Sequence, residues 1–179
     1  VRNRKRIETK GYREDVFFDE AMTFIKEAKS NPFFCYLATY SPHTPLDAPK
    51  SFIKPFRKAG LNDTHATYLA MIENIDFNLG RLMKFLKETE RDNDTIIVMI
   101  NDNGVTEGLD IYNAKMRGPK CSAWEGGTRA FSFWRWTKKW KPKVIDNLTA
   151  HLDILPTLCE LADAKIPEEL ELKLEGFSL

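Results

Sequence analysis

The stretch Thr95-Ile-Ile-Val-Met-Ile100, followed by Asn101-Asp102-Asn103-Gly104, decides how this chain reads. Its first six residues are mostly Ile, Val and Met without polar alternation, the pattern of a short strand buried on both faces. The run stops at a carboxylate, an amide and a glycine, and in open α/β sheets ligands gather at the carboxyl ends of strands. Neighbouring oxygen donors at that point suit a hard cation, Ca2+ or Mg2+. An Asn-Gly turn closing the strand explains the same letters.

Upstream, Tyr68, Ile72, Ile75, Leu79, Leu82 and Leu86 alternate steps of four and three, which predicts one long helix with an apolar stripe. Asn62, Asp63 or Thr64 can supply its N-cap. A second helix is expected over residues 15–29, with Phe18, Met22 and Ile25 at helical spacing and Asn31-Pro32 as the stop. Phe33 to Thr39 reads as another buried strand, and the Pro-, Ser-, Asp- and Lys-rich residues 41–62 as a long ordered loop. Downstream, residues 103–127 hold five of the nine glycines and read as loop. Phe131, Phe133 and Trp136 mark a third strand, and Asp153 to Ala162 a short helix that tolerates Pro156 in its first turn. Helix alternating with buried strand predicts an α/β layered domain with a largely parallel sheet flanked by helices. Three strands are few for a stable open sheet, so part of the fold is expected to lie elsewhere.

Composition narrows the partners. Among 179 residues, 27 Lys and Arg stand against 26 Asp and Glu, a formal charge of +1 that supplies no field for nucleic acid or a membrane surface. The basic run Arg2-Asn3-Arg4-Lys5-Arg6 reads as a solvated terminus. No apolar stretch approaches the ~20 residues that span a bilayer. The chain opens at Val1 without an initiator Met or a signal peptide, as expected inside a longer protein. Cys35, Cys121 and Cys159 are too scattered for a disulfide framework or a zinc site, and Cys35 and Cys159 are expected to pack as small hydrophobes.

Two further segments carry candidate chemistry. In Ser41-Pro42-His43-Thr44-Pro45 a histidine sits between prolines on stiff backbone, where it can act as an acid or donate to an anion. A surface loop histidine accounts for the same residues. Arg117-Gly118-Pro119-Lys120, then Trp124-Glu125-Gly126-Gly127-Thr128-Arg129, places cations among glycines, an arrangement that can surround an anion. A solvated basic loop is the alternative.

Taken in order, these segments resemble the sulfatase family of the alkaline-phosphatase-like superfamily. Pro32 to Ala38 followed by Pro42-His43-Thr44-Pro45, Tyr68 to Asp76 followed by Gly80-Arg81-Leu82, and Thr95 to Gly104 are similar to successive family landmarks. So are Gly118 to Arg129, His151 to Thr157 and Glu175 to Leu179. The resemblance implies sulfate ester hydrolysis, with Asp102 and Asn103 as ligands of Ca2+ (Mg2+ being the alternative ion). It implies that His43 and Lys120 bind the sulfate and act on the departing oxygen. The family's nucleophile is a formylglycine made within a C/S-x-P-x-R motif, and no such motif occurs in these 179 residues. The chain is therefore expected to be a partial catalytic domain over residues 1–179, inactive by itself and with apolar sheet surface exposed. Phosphodiesterases and phosphonate monoester hydrolases of the superfamily, or a non-catalytic relative, share much of this pattern. The resemblance implies a periplasmic, lysosomal or secreted setting, and the sequence itself carries no address.

Overall fold

A computed structural model describes residues 2–171 and 173–179, with the side chain of Glu171 left out. The chain forms two compact units, residues 1–140 and 141–179.

In the first unit, helix α1 (Arg13–Glu27) buries Phe18, Ala21 and Ile25, one face at helical spacing. Helix α2 (Lys50–Lys58) lies inside the segment expected to be loop. Helix α3 (Asp63–Glu88) is the long one, and the Asn62 side chain caps it by accepting from the His65 N–H at 2.8 Å. Both α1 and α2 pack on α3.

Helix α3 buries Tyr68 and Leu86 of the expected stripe, but its most deeply buried row lies elsewhere. Ala66, Ala70, Asn74 and Asn78, an i, i+4 row, are fully buried together with Met71, whereas Ile72 is exposed. Small residues along that row let the neighbouring helices approach. Ala66, Ala70 and Met71 join Ala48 and Ile53 in the core, with Leu46, Phe52, Phe56 and Leu61 packed against them. Asn74 and Asn78 face α1 instead, and both amides donate to one carboxylate oxygen of Asp15, at 2.9 and 2.7 Å. Arg81 extends this polar seam to Asn78 and Asp19.

The sheet also departs from expectation. Strand β1 (Ile97–Ile100) pairs with strand β2 (Ser132–Arg135) in antiparallel register, Ile97 opposite Arg135 and Ile100 opposite Ser132. The fold is mixed α/β as expected, and among the described residues these two strands form the sheet, with no parallel pairing among them. The other expected strand, Phe33 to Thr39, pairs with no strand among the described residues, and it leaves Phe34 73% and Tyr36 82% exposed. Cys35 is exposed with them rather than packed, and Cys159 is half-buried. An extended segment becomes a strand only when a neighbour takes up its N–H and C=O groups. Short helix α4 (Glu125–Thr128) follows the glycine-rich loop.

The second unit contains α5 (Ile154–Leu161), with Pro156 in its first turn as expected, and α6 (Glu168–Glu171). Asp153 is buried where α5 begins. Its carboxylate accepts from the N–H groups of Ala150 and Phe177, at 2.8 and 3.1 Å, and the Leu179 N–H donates to the Thr157 hydroxyl at 3.1 Å. The last two sequence landmarks, His151 to Thr157 and Glu175 to Leu179, are thereby joined. No helix among the described residues is long and apolar enough to cross a membrane.

Candidate active site

Asp102 and Asn103 occupy the bend that leaves β1. The strand places them there because the Asn101 N–H still donates to the Phe131 carbonyl at 3.1 Å, one step beyond the β1–β2 ladder. Asn101 then turns inward and its side-chain amide donates to the Asn103 carbonyl at 2.5 Å, which shapes the bend. Asp102 is exposed and Asn103 half-buried.

The loop that follows doubles back onto this bend. The Gly104 N–H donates to the Gly127 carbonyl at 2.9 Å, the Lys120 N–H to the Val105 carbonyl at 2.8 Å, and the Gly126 N–H to the Arg117 carbonyl at 2.8 Å. Glycine is required for that closeness. A Cβ on Gly104 would lie 1.7 Å from the Gly126 oxygen, and one on Gly126 would lie 2.2 Å from the Gly118 oxygen. Lys120, half-buried, is thus fixed by its backbone beside the Asp102–Asn103 bend. The Arg117 guanidinium stacks 3.5 Å over the Trp124 ring.

Helix α3 holds this loop from below. Tyr68, buried, hydrogen-bonds to Thr106, and burial pushes its phenol above the usual value against the opposing effect of those bonds. One turn earlier on the helix, His65 Nε2 lies 3.6 Å from the Asp110 carboxylate.

His43 belongs to a separate clasp. Three consecutive residues at the start of α1 hold its loop: Tyr12 donates to the Asp47 carbonyl at 2.6 Å, Arg13 stacks on Tyr40, and Glu14 accepts from the backbone of Tyr40 and Ser41. The Tyr40 hydroxyl closes the loop by donating to the Thr44 carbonyl. Flanking prolines follow cis peptide bonds, Ser41-Pro42 and Thr44-Pro45. The His43 ring is exposed, and its Nδ1 lies 2.7 Å from the Thr44 carbonyl oxygen. A carbonyl only accepts, so the proton sits on Nδ1 and Nε2 is left for another partner.

The four residues singled out from sequence therefore fall into two groups. Asp102, Asn103 and Lys120 share one loop cluster, while the hydrogen bonds that hold His43 run to residues 40–44. Helix α3 braces both, the first through His65 and Tyr68, the second through α1. Sequence reasoning missed Glu14, whose carboxylate is fully buried. A lone acidic residue in a first helical turn reads as a surface group favoured by the helix dipole.

Hard oxygen donors at Asp102 and Asn103 fit Ca2+ in kind. In number they make a partial shell, since Ca2+ takes roughly six to eight oxygens, and among the described residues no three His, Cys, Asp or Glu side chains converge.

Comparison with known proteins bears on the family of the chain. The Sulfatase family model matches residues 1–164. The uncharacterized sulfatase YdeN of Escherichia coli K12 is 36% identical to 99% of this chain, which spans 32% of YdeN. Human steryl-sulfatase is 32% identical over 84% of this chain and 26% of its own length. The crystal structure of Ps i-CgsB matches 98% of the chain with a TM-score of 0.89 and 32% identity, over 39% of that structure's length. The chain thus spans between about a quarter and two-fifths of the length of these three relatives. On the family match and these relatives together, the chain belongs to the sulfatase family.

Proposed function

We propose that this chain supplies the cation-binding and leaving-group side of a site that hydrolyses sulfate esters. The observation that carries this reading is the pair of backbone bonds, Lys120 to Val105 and Gly104 to Gly127, which sets an ammonium-bearing loop against the Asp102–Asn103 bend.

The chemistry follows from where charge develops. Breaking the S–O bond of a sulfate ester builds negative charge on the departing oxygen. Groups aimed at that oxygen bind the transition state more tightly than the ground state and so raise the rate. Lys120 contributes a point charge on a backbone fixed before substrate arrives. His43 donates from Nδ1 to the Thr44 carbonyl, and when Nε2 also carries a proton it would donate to the sulfate or to the departing oxygen. Asp102 and Asn103 would hold the cation, and a bound Ca2+ would polarise the sulfate oxygens as a Lewis acid. Residues 1–179 contain no C/S-x-P-x-R run, so the nucleophile is assigned outside them. The family model runs through the boundary at residue 140, which supports treating both units as parts of one catalytic domain.

Release of phenol from an aryl sulfate by the complete gene product, assayed with Ca2+, tests the reading. Lys120→Ala and His43→Ala are each expected to lower kcat by about 10^2- to 10^4-fold, and residues 1–179 expressed alone to show no turnover above the Lys120→Ala background. Wild-type rates in both variants would overturn it. Turnover of phosphate diesters in place of sulfate esters would move the protein to the phosphodiesterase branch.

A further inference from the structure

A carboxylate that is completely buried costs folding energy unless its charge is used. Glu14 is 0% exposed, and one of its oxygens carries all of its hydrogen bonds. Oε1 accepts from two consecutive backbone N–H groups, Tyr40 at 3.1 Å and Ser41 at 2.8 Å. Oε2 makes no hydrogen bond and lies 3.5 Å from Arg13 Nε, itself buried without a hydrogen-bond partner. Both Oε1 bonds land on the two residues that open the His43 loop.

From Tyr40 the contacts lead directly to His43. The Arg13 guanidinium lies 3.6 Å over the ring of the same Tyr40 whose backbone N–H Glu14 accepts. The Tyr40 ring meets the His43 ring edge-on, with centroids 5.6 Å apart. The Tyr40 carbonyl accepts the His43 N–H at 3.1 Å. A shift of the Tyr40 backbone therefore moves both the backbone anchor of His43 and the ring that packs against its imidazole.

We propose that Glu14 is a positioning residue for His43, acting through the Tyr40–Ser41 backbone with Arg13 as the clamp on Tyr40. The proposal rests on the sulfatase reading of His43 given above. Charge-assisted bonds from a carboxylate to backbone N–H groups are shorter and stronger than neutral ones, which suits an anchor that must hold an exposed imidazole in one place. Its burial leaves the anchor far less screened by salt than an exposed pair would be.

A double-mutant cycle in the complete protein tests this, with kcat, KM and the melting temperature measured for each member. Glu14→Ala is expected to lower kcat about 10- to 100-fold, the cost of a displaced catalytic group, with KM changed less than about threefold. In the His43→Ala background the same change is expected to cost less than about twofold, because the group it positions is gone. Glu14→Gln, which can still accept both bonds, should recover most of the lost rate. If Glu14→Ala does not fold, Glu14→Asp takes its place in the cycle. It keeps the charge but withdraws the oxygens by one methylene, and its kcat loss should likewise vanish without His43. Equal fold losses in both backgrounds would mark Glu14 as merely structural and overturn the proposal, as would unchanged kcat in the single variant. Wild-type turnover in His43→Ala would overturn the reading of His43 and the role of Glu14 together. A large loss in His43→Ala with additive Glu14 effects would overturn the positioning role alone.

Discussion

The Lys120 N–H donates to the Val105 carbonyl at 2.8 Å, two residues beyond Asn103. Fifteen positions separate Lys120 from Val105 in the chain, yet this bond and the one from Gly104 to Gly127 bring the candidate cation ligands and the candidate sulfate-binding lysine onto one rigid loop. Its closeness depends on Gly104, where a Cβ would meet the Gly126 oxygen at 1.7 Å. Gly104→Ala is accordingly expected to destabilise the protein by about 1–3 kcal/mol through overpacking. Because the clash falls between the Asp102 bend and the Lys120 loop, kcat should drop as well. Urea unfolding and aryl sulfate turnover on the same sample check both effects.

Cys121 has φ 66°, a left-handed conformation that glycine adopts without cost. Cys121→Gly is expected to stabilise the loop by about 0.5–1 kcal/mol, the relieved backbone strain less the extra chain entropy of glycine. Chemical denaturation at matched slope measures it.

Asp102 and Asn103 are proposed to bind Ca2+, so the complete protein should melt at higher temperature with Ca2+ than after chelation, by mass action on the folded state. Asp102→Ala should abolish most of that shift while leaving the melting temperature of the chelated protein nearly unchanged, since Asp102 is exposed. A calcium-dependent shift of wild-type size in Asp102→Ala would remove this residue from the ligand set.

A bidentate ion pair ties the turn before β1 to β2: Arg135 donates to both oxygens of Asp92, at 2.7 and 3.2 Å. Those bonds are the main reason the Asp92 carboxyl titrates below its ordinary value of 3.8, with a smaller contribution from Thr137 and partial burial opposing them. A depressed carboxylate contributes stability that is complete above the unfolded value and is lost as pH falls through the folded one. The stability gap between wild type and Arg135→Gln should therefore hold steady from neutral pH down to about pH 4 and narrow below it. Denaturant midpoints across that range give the comparison.

At the α1–α3 seam, Asp15 accepts from both Asn74 and Asn78, whose side chains are fully buried. Asp15→Ala would strip the Asn74 amide of this bond and is expected to cost about 1–3 kcal/mol. A simultaneous Asn74→Leu change should recover part of the loss, because the buried polar group goes with its missing partner.

What the sequence made legible is mostly local. The cap at Asn62, the length of α3, the position of β1 and the first-turn Pro156 of α5 all depend on residues within a few positions of one another. Helix α2 was hidden because Pro49, Pro55 and four basic residues read as loop, whereas its folding comes from Ile53 and Phe52 packing on α3. The buried face of α3 was read only in part, through Tyr68 and Leu86, for a related reason. Periodicity finds apolar stripes, but the partner helices selected the row of alanines and asparagines, and Asp15 supplied the hydrogen bonds that let Asn74 and Asn78 be buried. Phe33 to Thr39 has the composition of a buried strand without a paired neighbour among the described residues. Pairing direction depends on which segments meet, and an apolar run gives no sign of that. At the candidate site the residue types were readable, while the clasp around His43 was not, because its anchor, Glu14, lies 29 positions away.

The most direct test of the account is the dependence of kcat/KM on leaving-group acidity, measured with a series of aryl sulfates for the complete wild-type protein and for Lys120→Ala. If Lys120 neutralises charge on the departing oxygen, its loss should slow poor leaving groups far more than good ones and steepen the plot of log kcat/KM against phenol pKa. Parallel lines for the two proteins, or no loss at all in Lys120→Ala, would contradict the role assigned to this loop.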